Sequence, residues 1–178
     1  MVFAWIRTIL ILPANVLIVI PAVVLYATDY QWTPNHPAFV ALGACLLLNG
    51  LFFAGWTMRL FATRGKGTAA PWNPPKKLVV AGPYRHVRNP MISSVLAMLL
   101  AEALLLNSWW IAGLFFLFAL LNMIYFPLFE EKELEKRFGA DYLAYKRNVP
   151  RWIPRLKPYT VVGASCSHKH SSGSILLP

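Results

Sequence analysis

Hydrophobic residues in this chain fall into four long blocks with short polar breaks between them. The blocks cover residues 9–27, 38–62, 91–106 and 109–129. Blocks of this length predict helices that cross a membrane. The breaks read as connections. Residues 29–37 carry two prolines, 63–90 form a long loop, and Asn107-Ser108 is a tight turn. The third block is the shortest. At roughly 1.5 Å per residue it reaches about 24 Å, below the roughly 30 Å of the hydrocarbon layer. Its start is therefore expected to be recessed, or the bilayer thinned around it.

After the fourth block the pattern changes. Residues 130–147 read as an amphipathic helix, with Leu134, Phe138 and Tyr142 at four-residue steps and Tyr145 three later. Glu133 and Arg137 form an i,i+4 pair in the favourable order, and Gly139 is a weak point. This helix is expected on the membrane surface or folded back beneath the spans. Pro150, Trp152, Ile153 and Pro154 follow as a stiff amphipathic strap. Residues 161–178 are rich in Ser, Gly and His without periodicity and read as a disordered tail. The expected architecture is an all-α integral membrane protein with about four transmembrane helices and a cytoplasmic amphipathic C-terminal helix. It divides into two N-terminal spans (1–62), a core (63–160) and the tail (161–178).

Composition agrees with this reading, with 57% hydrophobic residues and a mean hydropathy of +0.51. The first block contains Pro13 and Pro21 and lacks a small-residue cleavage site, so it reads as a retained span. Seventeen Lys and Arg against seven Asp and Glu give a net charge of +10. No base-reading motif accompanies that charge, which argues against nucleic acid. The cations instead report orientation. The 63–90 loop carries six of them and the region after the fourth block carries nine, whereas 29–37 and Asn107-Ser108 carry none. The positive-inside rule then places both termini and the long loop in the cytoplasm, at a bacterial inner (plasma) membrane. The two cysteines, Cys45 and Cys166, have neither disulfide nor metal spacing. His168 and His170 lie in the tail, without the scaffold a metal site needs.

Two polar clusters stand out as candidate chemistry. The stretch GPYRHVRNP, residues 82–90, groups Arg85, His86 and Arg88 immediately before the third block. Pro90 suits the first turn of a helix, where unpaired N–H groups and the helix dipole favour an anion such as a carboxylate. Taken singly, Arg85 and Arg88 also fit plain anchors to lipid phosphates. The second cluster, Glu130-Glu131, ends the fourth block. It fits helix N-terminal acids, an acceptor for a cofactor's ammonium group, or a partner for Arg88. If blocks three and four form a hairpin, both clusters meet at one membrane face. Glu102 lies within the third block, close enough to the turn to reach the interface. Gly65-Lys66-Gly67 reads as ordinary loop.

The run KKLVVAGPYRHVRNPM, followed after two spans by FEEKELEKRFGADYLAYKRNVPRWIP, resembles the isoprenylcysteine carboxyl methyltransferase family. That family sits in a wider group of small membrane methyltransferases that includes the phospholipid N-methyltransferases. The resemblance covers about residues 63–157. It implies S-adenosylmethionine as cofactor, with S-adenosylhomocysteine as product, and a lipophilic small molecule or lipid of the membrane as acceptor. Carried over by position, it implies cofactor contacts from Lys76, Lys77, Leu78, Val79, Tyr84, Asn89, Pro90, Met91, Ile92 and Glu130. It implies catalytic roles for Arg88 and Glu131. The chain departs from the family pattern at Asn89, where His is usual, and at Ile92, where Tyr is preferred. Phe126 stands where the eukaryotic enzymes have an arginine for the substrate carboxylate. The acceptor implied by the resemblance is an isoprenoid carboxylate or similar group, with a phospholipid amine as the alternative. Two rival readings are an NADPH-dependent membrane reductase of related fold and a non-enzymatic membrane scaffold.

Overall fold

A computed structural model describes residues 14–65 and 76–160. The regular elements among these residues are all helical, without a β-strand. A π-helical turn, Asn15–Val19, leads into α1 (Ile20–Ala27). Helix α2 (Pro37–Leu60) ends in a second π turn, Phe61–Gly65. A 3-10 turn, Gly82–Arg85, precedes α3 (Pro90–Leu106). Helix α4 (Trp109–Tyr125) continues through the π turn Phe126–Glu130 into α5 (Glu131–Asn148). The expected boundaries of the second, third and fourth blocks lie close to these helices. Residues 9–13 of the first block, the 66–75 part of the loop and the 161–178 tail lie outside the described residues.

Two stretches are long and apolar enough to cross a membrane, Pro37–Gly65 and Trp109–Asn148, and Asn15–Ala27 and Pro90–Leu106 are shorter apolar helices. Most outward residues of α2 and α4 are apolar. Leu48 is 68% exposed and Phe116 is 68% exposed, and Phe52, Leu120 and Ile124 are open as well. Water would not tolerate so continuous an apolar surface, and lipid does.

The chain divides into two compact units. The first takes the described residues of Met1–Trp56 and Met91–Tyr125; the second takes those of Thr57–Pro90 and Phe126–Pro178. In the first, Ala54, Val95, Met98 and Leu99 form the core, with Leu114, Phe115 and Phe118 packed against them. Gly50 lets α2 approach α3 closely, since a Cβ there would stand 2.5 Å from Met98 Cγ and 3.0 Å from the Ser94 carbonyl oxygen. The last carbonyls of α3 lack intrahelical donors. The 29–36 link supplies them: Asn35 Nδ2 donates to the Leu104 oxygen at 2.6 Å, and the Tyr30 hydroxyl donates to that of Leu106. Asn107, at φ +50°, makes the tight turn expected at Asn107-Ser108. Glu102, in α3, has one buried carboxylate oxygen with no hydrogen-bond partner among the described residues.

The second unit holds the polar clusters. Its extended stretch alternates sides, as period-two geometry requires. Leu78 and Val80 pack with Tyr142, Tyr145 and Val149, while Val79 and Ala81 pack with Leu60 and Tyr84. Helix α5 departs from the single continuous helix read from its periodicity. Gly139 sits at φ +55°, ψ −129°, outside helical geometry and in a region that L side chains avoid. Lys146 Nζ reaches Glu135 Oε1 at 2.6 Å and Glu131 Oε2 at 3.0 Å. In a straight helix those positions would lie about 16 and about 22 Å apart along the axis. The chain therefore folds back at Gly139, and Leu134 and Phe138 pack onto the Tyr142–Tyr145 cluster from the other arm.

Candidate functional site

The basic knot at 82–90 is held within the second unit. Arg85 Nε donates to the Tyr159 carbonyl oxygen at 2.7 Å, and its Nη2 donates to Thr160 Oγ1 at 3.0 Å. His86 Nδ1 lies 2.8 Å from the Arg155 oxygen. The backbone joins in: Arg155 N–H donates to the His86 oxygen, Tyr159 N–H to that of Arg85, and Arg88 N–H to that of Pro150. Arg85 and His86 thus fasten residues 150–160 to the loop.

Arg88 turns to the acidic pair and selects Glu131. Its Nη1 donates to Glu131 Oε1 at 2.9 Å. Arg151 Nε donates to the same oxygen at 2.6 Å, and Lys146 Nζ stands 3.0 Å from the other. Glu131 is only 2% exposed. Burial alone would raise its pKa, but hydrogen bonds from Arg151 and Lys146, with the charge of Arg88, outweigh burial and hold it below the usual value. Tyr142, whose phenol burial raises, lies beside the same Arg88 guanidinium.

Glu130 is the opposite case. It is half-buried and has no ion-pair partner among the described residues. Desolvation raises its pKa from 4.5 to about 7, with further contributions from the charges of Glu133 and Glu131. It stands close enough to Tyr84 to help raise that phenol, after desolvation and Tyr145. Tyr84 is buried, meets the Phe61 ring edge-on at 5.4 Å, and accepts the Tyr145 hydroxyl on its carbonyl oxygen at 2.7 Å.

The remaining residues implied by the resemblance are dispersed. Lys76 is exposed and Lys77 partly so, and Lys76 N–H donates to the Gly65 oxygen at 2.9 Å. The Leu78 and Val79 side chains are committed to the two apolar clusters. Asn89 and Pro90 close the loop in this unit. Met91 and Ile92 begin the part of α3 that belongs to the other unit. Arg151 and Lys146 escaped the sequence reading. They lie 20 and 15 residues from Glu131, a spacing with no helical meaning once the chain reverses. The described residues contain no cluster of metal-ligating side chains.

A sequence profile of the family described as phospholipid methyltransferase matches residues 38–141. The chain belongs to the phospholipid methyltransferase family. The resemblance read from the GPYRHVRNP and paired-Glu segments is thereby borne out at family level. Together with its apolar helices, that membership makes it an integral membrane protein. Methanethiol S-methyltransferase 2 of Bradyrhizobium diazoefficiens is 28% identical over 153 residues, covering 78% of this chain and 58% of that relative. The chain thus spans under two thirds of that relative's length. No solved structure matches it.

Proposed function

We propose that the protein is an S-adenosylmethionine-dependent methyltransferase acting on a lipophilic acceptor that reaches it from the membrane. The observation that carries this reading is Glu130, a half-buried carboxyl with no cation beside it among the described residues, in a chain of this family. An acid so placed fits the cofactor's ammonium group, which would restore its charge. Tyr84 flanks it in the same unit, and the roles of Asn89 and Pro90 follow from the resemblance. The roles of Lys76, Lys77, Leu78, Val79, Met91 and Ile92 rest on the resemblance alone.

Bound S-adenosylmethionine supplies an electrophilic methyl group on a sulfonium. What remains for the protein is alignment and exclusion of water. Arg88 and Glu131 serve alignment, because their pairing fixes the loop that carries Tyr84 and Asn89. Glu131 is therefore assigned a positioning role, in place of direct contact with reacting atoms.

For the acceptor, a second reading has particular support. Phe126 is buried against Trp152, with ring centroids 5.7 Å apart, at the position where the resemblance places a carboxylate-binding arginine in eukaryotic enzymes. An apolar residue there disfavours a carboxylate acceptor. The 28%-identical relative is named for methanethiol, and a small apolar thiol is also lipophilic. In the wider reading four spans cross the membrane, and the basic loops face the cytoplasm of a bacterial inner membrane.

Calorimetric titration of the detergent-solubilised protein with S-adenosylhomocysteine tests the reading. Saturable binding that Glu130→Ala loses is the expected result. A folded wild type that binds none rejects it. Assays offering methanethiol, a prenylated carboxylate and a phospholipid amine then discriminate the acceptor by which product gains the methyl group.

A further inference from the structure

Residues 150–160 have no helix or strand, yet backbone bonds to Arg85, His86 and Arg88 fix them to the second unit. Trp152 adds a side-chain anchor, its ring edge-on to Phe126 at 86°. A segment held this firmly would be expected to bury its apolar residues. Instead Ile153 is 81% exposed and Leu156 is 98% exposed. Pro150 and Pro154 stiffen the backbone around them, so these side chains stand out from a rigid support.

Two observations say what meets them. First, Trp152 seats the strap on Phe126, the first residue of the turn that continues α4, an apolar helix within a stretch of membrane-crossing length. The same turn exposes Leu128 and Phe129. The strap is thus seated on a turn that itself exposes large apolar side chains. Second, the charge is of one sign. Arg155 and Lys157 flank Leu156, and no Asp or Glu occurs in the sequence after Asp141. Neither cation has an acidic partner among the described residues, Arg155 Nη1 donating only to the Asn148 carbonyl oxygen at 2.7 Å. A fixed surface that pairs apolar tips with such cations matches the boundary of a bilayer bearing anionic headgroups.

We infer that residues 150–157 are an interfacial anchor. Ile153 and Leu156 enter the boundary between headgroups and acyl chains, and Arg155 and Lys157 lie against the phosphates of anionic lipids. Because the strap is bonded to residues 85–88, lipid contact also steadies the loop that carries Tyr84 and Arg88. The inference requires a membrane protein and is independent of which molecule is methylated.

The test uses the full chain with Cys45→Ser and Cys166→Ser, carrying Ile153→Cys or Leu156→Cys labelled with bimane. Both positions are exposed, so labelling should leave the fold intact, which thermal unfolding checks. The proteins are reconstituted in phosphatidylcholine vesicles, with or without phosphatidylglycerol, containing lipids brominated near the top of the acyl chain. The expected result is quenching of both labels by on the order of half, stronger with phosphatidylglycerol and weakened by high salt or by Lys157→Gln. Water-like emission without quenching overturns the inference. A blue shift without quenching also overturns it, because protein rather than lipid would then cover the strap. Equal quenching with and without phosphatidylglycerol overturns the assignment of anionic lipid.

Discussion

Glu131 is enclosed by Arg88, Lys146 and Arg151, whereas the charges acting on Glu130, one residue earlier, are those of Glu133 and Glu131. The consequence is opposite shifts in adjacent carboxyls, one held below its usual range and one raised to about 7. A buried acid with three cations is committed to architecture, since removing it strands Arg88 and Arg151. A half-buried acid with none is left to meet a cation from outside. On the proposed reading the paired-Glu motif divides its work: Glu131 would build the site and Glu130 would face the ligand.

The largest effect should come from Glu131→Gln. It leaves Arg88 and Arg151 without their anion and Lys146 with Glu135 alone, and losing one partner of a buried ionic network costs about 3–5 kcal/mol. Thermal unfolding in detergent should register a large fall. An unchanged midpoint would dissolve the contrast between the two acids.

Gly139→Ala acts on the same network from a distance. The reversal at φ +55° brings Lys146 back to Glu131. An alanine there is strained although no atom stands within 4 Å of its Cβ. A loss of about 1–3 kcal/mol is expected, with the ligand affinity of the folded fraction retained.

Glu130 supplies the pH dependence. Its folded pKa is raised, so native-state stability is greatest where the carboxyl is protonated and falls as pH rises from 4.5 towards about 7. Binding of a cationic group runs the other way, because it needs the carboxylate. S-adenosylhomocysteine affinity should rise about tenfold between about pH 6 and about pH 8, following the ionised fraction. Glu130→Gln should bind weakly and show no such rise.

The smallest effect is expected from Tyr145→Phe. It removes the hydroxyl donor to the Tyr84 carbonyl and should cost about 1 kcal/mol. A much larger loss of ligand affinity than of stability would mean that Tyr84 is held for binding more than for packing.

The helices were largely legible in the sequence, because lipid demands long uninterrupted apolar runs and ends them at charge. The expected third block at 91–106 agrees with Pro90–Leu106 to within a residue. The pairing at the site was harder to read. Both glutamates qualified as partners for Arg88, and only side-chain placement separated them. The reversal at Gly139 also escaped, because a helix pattern persists on both sides of it and leaves the periodicity intact. Arg151 gave no local signal, since its partner is 20 residues away and on the far side of that reversal. Arg85 was open to reading as a lipid anchor, and the structure turns both it and His86 towards backbone carbonyls of the strap.

The division of labour is tested most directly by comparing two isosteric variants, Glu130→Gln and Glu131→Gln, in paired measurements of thermal unfolding and S-adenosylhomocysteine titration. Glu130→Gln should keep or raise the unfolding midpoint while losing most of the affinity. Glu131→Gln should lower the midpoint sharply, with affinity following the folded fraction. The reverse pattern, a stable Glu131→Gln protein that no longer binds beside a Glu130→Gln protein that binds normally, would contradict the account.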